Sequence, residues 1–79
     1  MREKTLKIVI TFHTTSEAMA CEKALHEGGI PGRLIPIPTS ISAGCGLAWC
    51  MLPSEKEGVM NYMEEKKLLF EGIYECKLL

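Results

Sequence analysis

The chain has 79 residues, of which 47% are hydrophobic and 24% are charged, and its formal net charge is -1. This length predicts a single domain over residues 1–79, and the composition indicates a folded rather than a disordered chain. Nine basic and ten acidic residues offer no basic stripe for a phosphate backbone, so nucleic acid is excluded as an expected partner. The N-terminal apolar stretch is too short for a membrane span or a signal peptide, and we therefore expect a cytoplasmic protein that binds no membrane.

The first two predicted elements are a strand and a helix. Apolar side chains alternate along residues 6–12, LKIVITF, which is the pattern of a half-buried strand. A helix then begins at one of two sites, because Thr14 with Glu17 fits a capping box and Ser16 is an alternative N-cap. The pair of glycines at 28–29 is expected to end this helix.

The middle of the chain predicts two strands joined by a polar loop. Residues 33–37 form an extended segment, and Pro36 and Pro38 remove two backbone donors, which favours an edge strand or an early exit from the sheet. Residues 47–52 form an apolar run short enough for a strand. The loop between them, residues 38–46, is longer than the roughly two to five residues that a hairpin needs.

The last third of the chain predicts a second helix and a fourth strand. Ser54 and Glu57 form a second candidate capping box, and the helix is expected to end near Lys67. Residues 70–78 alternate between a more apolar and a wetter face, as a half-exposed strand does. The predicted order is therefore strand, helix, strand, strand, helix, strand.

This order of elements predicts the fold. In so short a chain, two right-handed crossovers place both helices on one face of a four-stranded antiparallel sheet. The expected fold class is α+β, with the ferredoxin-like βαββαβ plait as its architecture. Small chains bury proportionally less surface than large ones, so we also expect a homodimer.

The four cysteines raise the question of disulfides or a metal site. Without an export signal, reduced thiols are expected, and the wide spacing without a Cys-x-x-Cys pair argues against zinc. Cys21 lies on the apolar side of the first helix and Cys76 alternates with apolar residues, so both are expected to pack in the core. Neither a metal nor another cofactor is predicted.

The loop at 38–46, PTSISAGCG, contains the strongest candidate site. Gly44 and Gly46 allow positive φ on both sides of Cys45, and successive N–H groups in such a turn can form a nest that stabilises a thiolate. Ser42 is a further candidate donor to the sulfur. The alternative is a simple turn in which Cys45 packs as a small hydrophobic side chain.

Four other residues are secondary candidates. His13 follows the first strand and can approach a site at its end, although an exposed histidine is more often a solvated loop residue. Cys50 lies inside an apolar run and is expected to pack there. It can act as a resolving thiol for Cys45 only if the chain folds back, because a disulfide needs Cα atoms within about 7 Å. Pro36 and Pro38 are expected to stiffen the start of the loop.

Two segments carry a resemblance to a known family. The segments ACEKALHEGGIPGRLIPIP and ISAGCGLA resemble the DUF3343 family of selenium/sulfur (Se/S) carrier-like proteins. The resemblance implies that Cys45 holds sulfur or selenium as a persulfide or selenosulfide, passed between donor and acceptor proteins. Members often carry basic residues where this chain has Thr39-Ser40 and Trp49-Cys50, so a thiolate here depends on backbone donors or on the partner.

Three hypotheses for function follow. The first is a carrier that uses Cys45 without a cofactor and is not a turnover enzyme, because no base or oxyanion arrangement surrounds the thiol. The second is a non-catalytic regulatory or assembly module that dimerises through its sheet and binds a partner or small metabolite in the same loop. The third is redox sensing through Cys45 and Cys50.

Overall fold

The computed structural model describes residues 4–41 and 44–78, and it confirms all six predicted elements. A single turn of 3-10 helix, Pro53–Glu55, precedes the second α-helix. The strands and helices in chain order are β1 Thr5–Thr11, α1 Thr15–Glu27, β2 Arg33–Pro36, β3 Leu47–Met51, α2 Lys56–Glu65 and β4 Gly72–Leu78. Each of their boundaries lies within two residues of the predicted one.

The four strands form one antiparallel sheet in the order β2-β3-β1-β4. The central strand β1 pairs with β3 on one side and with β4 on the other, so that Ile10 lies between Trp49 and Ile73. Both helices pack on the same face of this sheet, around the larger core cluster. The α+β prediction of a ferredoxin-like βαββαβ plait is therefore confirmed.

The larger core lies between the sheet and the two helices. Its members come from alternate positions of β1 and β3 and from one side of each helix, as the periodicities of strand and helix require. The buried residues of this helix-side core are Ile8, Ile10, Phe12, Ala18, Cys21, Leu25, Trp49, Met51, Val59 and Met63. Trp49 and Phe12 are its largest members, and burial of each such side chain stabilises the fold by about 1.5–3 kcal/mol.

A second, smaller apolar cluster lies on the face of the sheet that carries no helix. It consists of Val9, Ile41, Ala48 and Cys76, each with less than a tenth of its surface exposed. Ile41 belongs to the loop between β2 and β3, so this loop supplies the cover that no helix supplies. The helix-free face is consequently dry at its centre.

The start of α1 matches one of the two predicted sites. The Thr14 hydroxyl accepts a hydrogen bond from the Glu17 N–H at 3.1 Å, so Thr14 and not Ser16 is the N-cap. The Glu17 carboxylate accepts from the His13 N–H at 2.9 Å, one residue before the position that a capping box uses. The first contact satisfies a backbone donor that the first helical turn leaves free, and the second satisfies the N–H of the residue before the N-cap.

The predicted N-cap of the second helix is wrong. Ser54 lies inside the 3-10 turn, and α2 begins two residues later at Lys56. The cause is Pro53, whose constrained φ suits the first position of a helical turn. Glu55 then occupies the third position, and its carboxylate accepts from the Leu52 N–H at 2.8 Å.

Both helices end in the same hydrogen-bonded motif but with different residues at its left-handed position. Gly29 holds this position after α1 with φ 67°, and Lys67 holds it after α2 with φ 55°. In each case the following N–H donates back to the helix, from Ile30 to Leu25 and from Leu68 to Met63, both at 2.9 Å. A lysine is strained where the motif favours glycine.

We expect Lys67→Gly to stabilise the protein by about 1 kcal/mol, because a side chain in the left-handed region is sterically strained. Gly29→Ala is the matched control and should lower the free energy of unfolding by a similar amount. Urea denaturation followed by circular dichroism measures both. A Lys67→Gly variant less stable than the wild type would contradict the assignment of strain to this position.

Candidate functional site

The loop between β2 and β3 is closed at its base and shaped by a turn. The Ile37 N–H donates to the Gly46 carbonyl at 2.8 Å, which continues the pairing of the two strands beyond Pro36. The Ile41 N–H donates to the Pro38 carbonyl at 3.0 Å and closes a four-residue turn. Both prolines thus lie where the chain leaves the sheet.

The first half of this loop lies across the helix-free face of the sheet. Ile41 is 8% exposed and packs with Val9 and Ala48 of the smaller cluster. The Ser40 hydroxyl lies 3.8 Å from the Cys76 sulfur, so the loop reaches β4 at the far edge of the sheet. The loop length therefore has a structural use, because a short hairpin would leave this face uncovered.

The second half of the loop attaches Cys45 to the end of β1. The Cys45 N–H donates to the Phe12 carbonyl at 3.1 Å, and its side chain is half-buried against the helix-side core. Gly44 has φ 73°, and a Cβ atom there would lie only 2.6 Å from the Phe12 carbonyl oxygen. Gly46 has φ 94° with open space around it. Phe12 as the anchor of Cys45 was missed by the sequence analysis, since no local pattern links residues so far apart.

In the described part of the chain, the Cys45 sulfur does not lie in a nest of amides. The Cys45 thiol donates to the Leu47 carbonyl oxygen, which lies 4.0 Å from Sγ. No N–H group within residues 4–41 and 44–78 donates to this sulfur. A carbonyl accepts a hydrogen bond from a neutral thiol and offers none to a thiolate. The predicted donor Ser42 lies outside the described residues.

The other three cysteines are buried, and Cys45 is the most accessible of the four. Cys21 is fully buried in the helix-side core, and burial raises the pKa of its thiol to about 12. Burial also raises the pKa of Cys50, against the opposing influence of nearby cations. Cys76 is 9% exposed beside Ser40, and the prediction that Cys21 and Cys76 are packed residues is confirmed.

Cys50 does not lie with Cys45. It is opposite Val9 in β3 and points to the helix-free face, whereas Cys45 packs against the helix-side core. A disulfide between them would require β3 to leave the sheet. Cys50 instead lines a cavity of about 290 Å³ together with Lys7 and Arg33, cations that the sequence analysis did not connect with it.

His13 lies near the Cys45 end of the sheet because it follows Phe12, but its contacts are directed elsewhere. Its ring Nδ1 lies 3.0 Å from the Glu17 carboxylate, and its backbone N–H donates to the same oxygen. The backbone hydrogen bond from His13 is the main reason why the pKa of Glu17 is lowered. The contacts of His13 stabilise the start of α1.

The buried Cys21 thiol makes the stability of the protein sensitive to alkaline pH. Its pKa rises from 9.0 to about 12 on folding, so the folded state holds the proton more tightly than the unfolded state. The resulting stability is complete below pH 9 and decreases by about 1.4 kcal/mol per pH unit as pH rises towards 12. Urea denaturation across this interval should show a shallower decrease for Cys21→Ala than for Cys45→Ala, and equal slopes would contradict the prediction.

Two general features bear on function. Among the described side chains, no three His, Cys, Asp or Glu residues form a group that could hold a metal ion. In the described part of the chain, no helix is long and apolar enough to span a bilayer.

Comparison with known proteins assigns the chain to one family. No curated protein and no solved structure matches the chain. The model of one protein family matches residues 7–75, which include every strand and helix in whole or in part as well as the Cys45 loop. The chain therefore belongs to the family described as "Putative Se/S carrier protein-like".

Proposed function

We propose that Cys45 carries the sulfur or selenium atom, as a persulfide or a selenosulfide. The observation that supports this most is its accessibility: of four cysteines it is the one that is not buried. The glycines on both sides add no side chains that would shield the sulfur, and the space around Gly46 is open. A carrier thiol must reach its donor and its acceptor in turn, which a core cysteine cannot do.

The proposed transfer needs no oxidant and no cofactor. The Cys45 thiolate attacks the terminal sulfur of a donor persulfide, a new bond forms from Sγ to that sulfur, and the donor S–S bond breaks. The donor leaves as a thiolate and takes up the proton that Cys45 lost. Delivery is the same exchange with an acceptor thiol as nucleophile, and a selenosulfide donor would transfer selenium by the same steps.

The partner must contribute to the activation of the thiol. Thiolates are stabilised by cations, helix N-termini or backbone donors, and the contact recorded for Cys45 Sγ is to a carbonyl oxygen. We therefore expect the donor and acceptor proteins to bring a cation or N–H donors to the loop when they bind. In this scheme the free carrier is a slow nucleophile and reacts quickly only in complex.

The test is mass spectrometry of the protein after incubation with a low-molecular-weight persulfide and removal of the excess. We expect a mass increase of one sulfur atom, located at Cys45 by peptide analysis and reversed by dithiothreitol. Cys45→Ser should lose the adduct, and Cys50→Ser should keep it. The second variant is a matched control because it removes a neighbouring thiol from a buried position.

Native alkylation gives an independent measurement. Iodoacetamide should modify Cys45 first, whereas the buried cysteines should react only as the protein unfolds. An adduct that survives in Cys45→Ser, or equal alkylation of all four cysteines in the folded protein, would sink the proposal. A protein that stays adduct-free over an incubation long enough for iodoacetamide to alkylate Cys45 fully would instead favour the regulatory or assembly module, which needs no reactive thiol.

A further inference from the structure

The sheet has two edges, and they differ in their capacity to pair with another strand. The edge strand β2 is four residues long and ends at Pro36, which has no N–H to donate. The other edge strand, β4, is seven residues long and contains no proline. An exposed edge of this length presents a row of unpaired backbone donors and acceptors. Of the two edges, β4 is therefore the one that suits strand addition.

The side chains of β4 carry a self-complementary pattern. Glu75 and Lys77 are exposed on the helix side of the sheet and flank Cys76, which lies on the helix-free side. The ion pair recorded among the described residues joins His13 and Glu17, so it involves neither of these charges. Tyr74 is 38% exposed and Leu78 is partly exposed on the helix-free side. Glu75 and Lys77 thus lie one residue on either side of Cys76, and Tyr74 and Leu78 lie two residues on either side of it.

We propose that β4 pairs antiparallel with β4 of a second copy of this chain, about a two-fold axis at Cys76, to form a dimer with a continuous eight-stranded sheet. In this register Glu75 of each copy is opposite Lys77 of the other, and Tyr74 is opposite Leu78. Opposite charges and aromatic-aliphatic pairs across strands are each favourable. The axis is perpendicular to the sheet, so all helices lie on one side, and a closed, isologous interface results.

Neighbouring symmetric registers are less favourable. A two-fold axis at Glu75 places the two Glu75 carboxylates opposite one another, and an axis at Lys77 does the same for the two ammonium groups. An axis at Tyr74 leaves Glu75 opposite the apolar Ile73. The register about Cys76 is the one in which both charges of β4 meet an opposite charge.

The dimer also brings the two carrier loops to the same side of the sheet. The Ser40 hydroxyl lies 3.8 Å from the Cys76 sulfur, so this part of the loop in each copy lies on the helix-free face beside the contact between the two β4 strands. The proposal depends on the edge strand alone and not on the chemistry of Cys45. Its failure and the failure of the carrier function are therefore separate results.

The test is sedimentation equilibrium on the full chain and two charge-reversal variants, each checked for folding by circular dichroism. We expect a wild-type dimer, and Glu75→Lys and Lys77→Glu should each weaken it by about tenfold or more, since each variant makes both charge pairs repulsive. An equimolar mixture of the two variants should recover wild-type affinity, because both pairs are again opposite in charge. Among these symmetric registers, only the one about Cys76 predicts both the weakening of each single variant and the recovery in the mixture.

Three outcomes would overturn the proposal. A monomeric wild type across the concentration series would show that β4 does not pair with itself. Single variants that dimerise as tightly as the wild type would show that these charges are not opposed across the interface. A mixture no tighter than its components would exclude the register about Cys76.

Discussion

Gly44→Ala is expected to detach Cys45 from the end of β1, whereas Gly46→Ala should leave it in place. Both glycines have positive φ, so each substitution imposes a left-handed strain of roughly 1–2 kcal/mol. Only Gly44 also lies against the backbone, where a new Cβ would be 2.6 Å from the Phe12 carbonyl oxygen. The loop must then move, and the hydrogen bond from the Cys45 N–H to Phe12 is lost.

The two variants should therefore differ in stability and in reactivity. We expect Gly44→Ala to lower the free energy of unfolding by about 2–4 kcal/mol, the sum of strain and a lost hydrogen bond with its unsatisfied carbonyl. Gly46→Ala should cost about 1–2 kcal/mol. Urea denaturation measures this difference, and the rate of Cys45 alkylation in the folded state measures the release of the loop. Equal effects in both measurements would mean that contact with Phe12 does not hold the loop.

Trp49→Ala is expected to cost about 3–5 kcal/mol, the largest effect of any single substitution considered. Trp49 lies in β3 and is fully buried at the centre of the helix-side core. Its side chain packs against Gly32, and its ring centroid lies 5.8 Å from that of His26. A domain of this length is stable by only roughly 4–12 kcal/mol. The substitution should therefore remove a large fraction of the free energy of unfolding.

Trp49→Phe is the informative partner of this variant. The Trp49 indole Nε1 is buried without a hydrogen-bond acceptor among the residues that the structure describes. An unsatisfied buried donor costs about 1–3 kcal/mol, so its removal should offset much of the lost volume. Urea denaturation followed by circular dichroism should place Trp49→Phe within about 1–2 kcal/mol of the wild type. If Trp49→Phe lowered the free energy of unfolding as much as Trp49→Ala, the unsatisfied N–H would make no measurable contribution to stability.

The elements of the plait were predictable because each depends on patterns a few residues long. Alternation along residues 6–12 identified β1, and the sequence narrowed the start of α1 to two N-caps, Thr14 and Ser16, of which the structure shows Thr14. The prediction failed at Ser54, where two local signals competed. Pro53 started a helical turn one residue before the predicted cap, and a pattern of preferred residues could not rank the two.

The alternating pattern of β1 also left its second face undetermined. The alternation along residues 6–12 puts Val9 and Thr11 on the face opposite Ile8 and Ile10, and the structure shows both fully buried. Ile41, more than twenty positions away in the chain, packs with Val9, and the Thr11 hydroxyl donates to Glu71 and lies near the Gly72 carbonyl. A contact between residues so far apart leaves no trace in local periodicity, because it depends on where the loop returns in space.

For the candidate site the division is similar. The sequence by itself determined the fold class, the position of the long loop and a cysteine between two glycines, since all of these follow from short-range residue preferences. Only the tertiary structure decided that the Cys45 N–H donates to the Phe12 carbonyl, that the Cys45 sulfur contacts the Leu47 carbonyl, and that Cys50 lies on the other face of the sheet. Those features depend on the packing of a loop against the end of a distant strand, which no local pattern encodes.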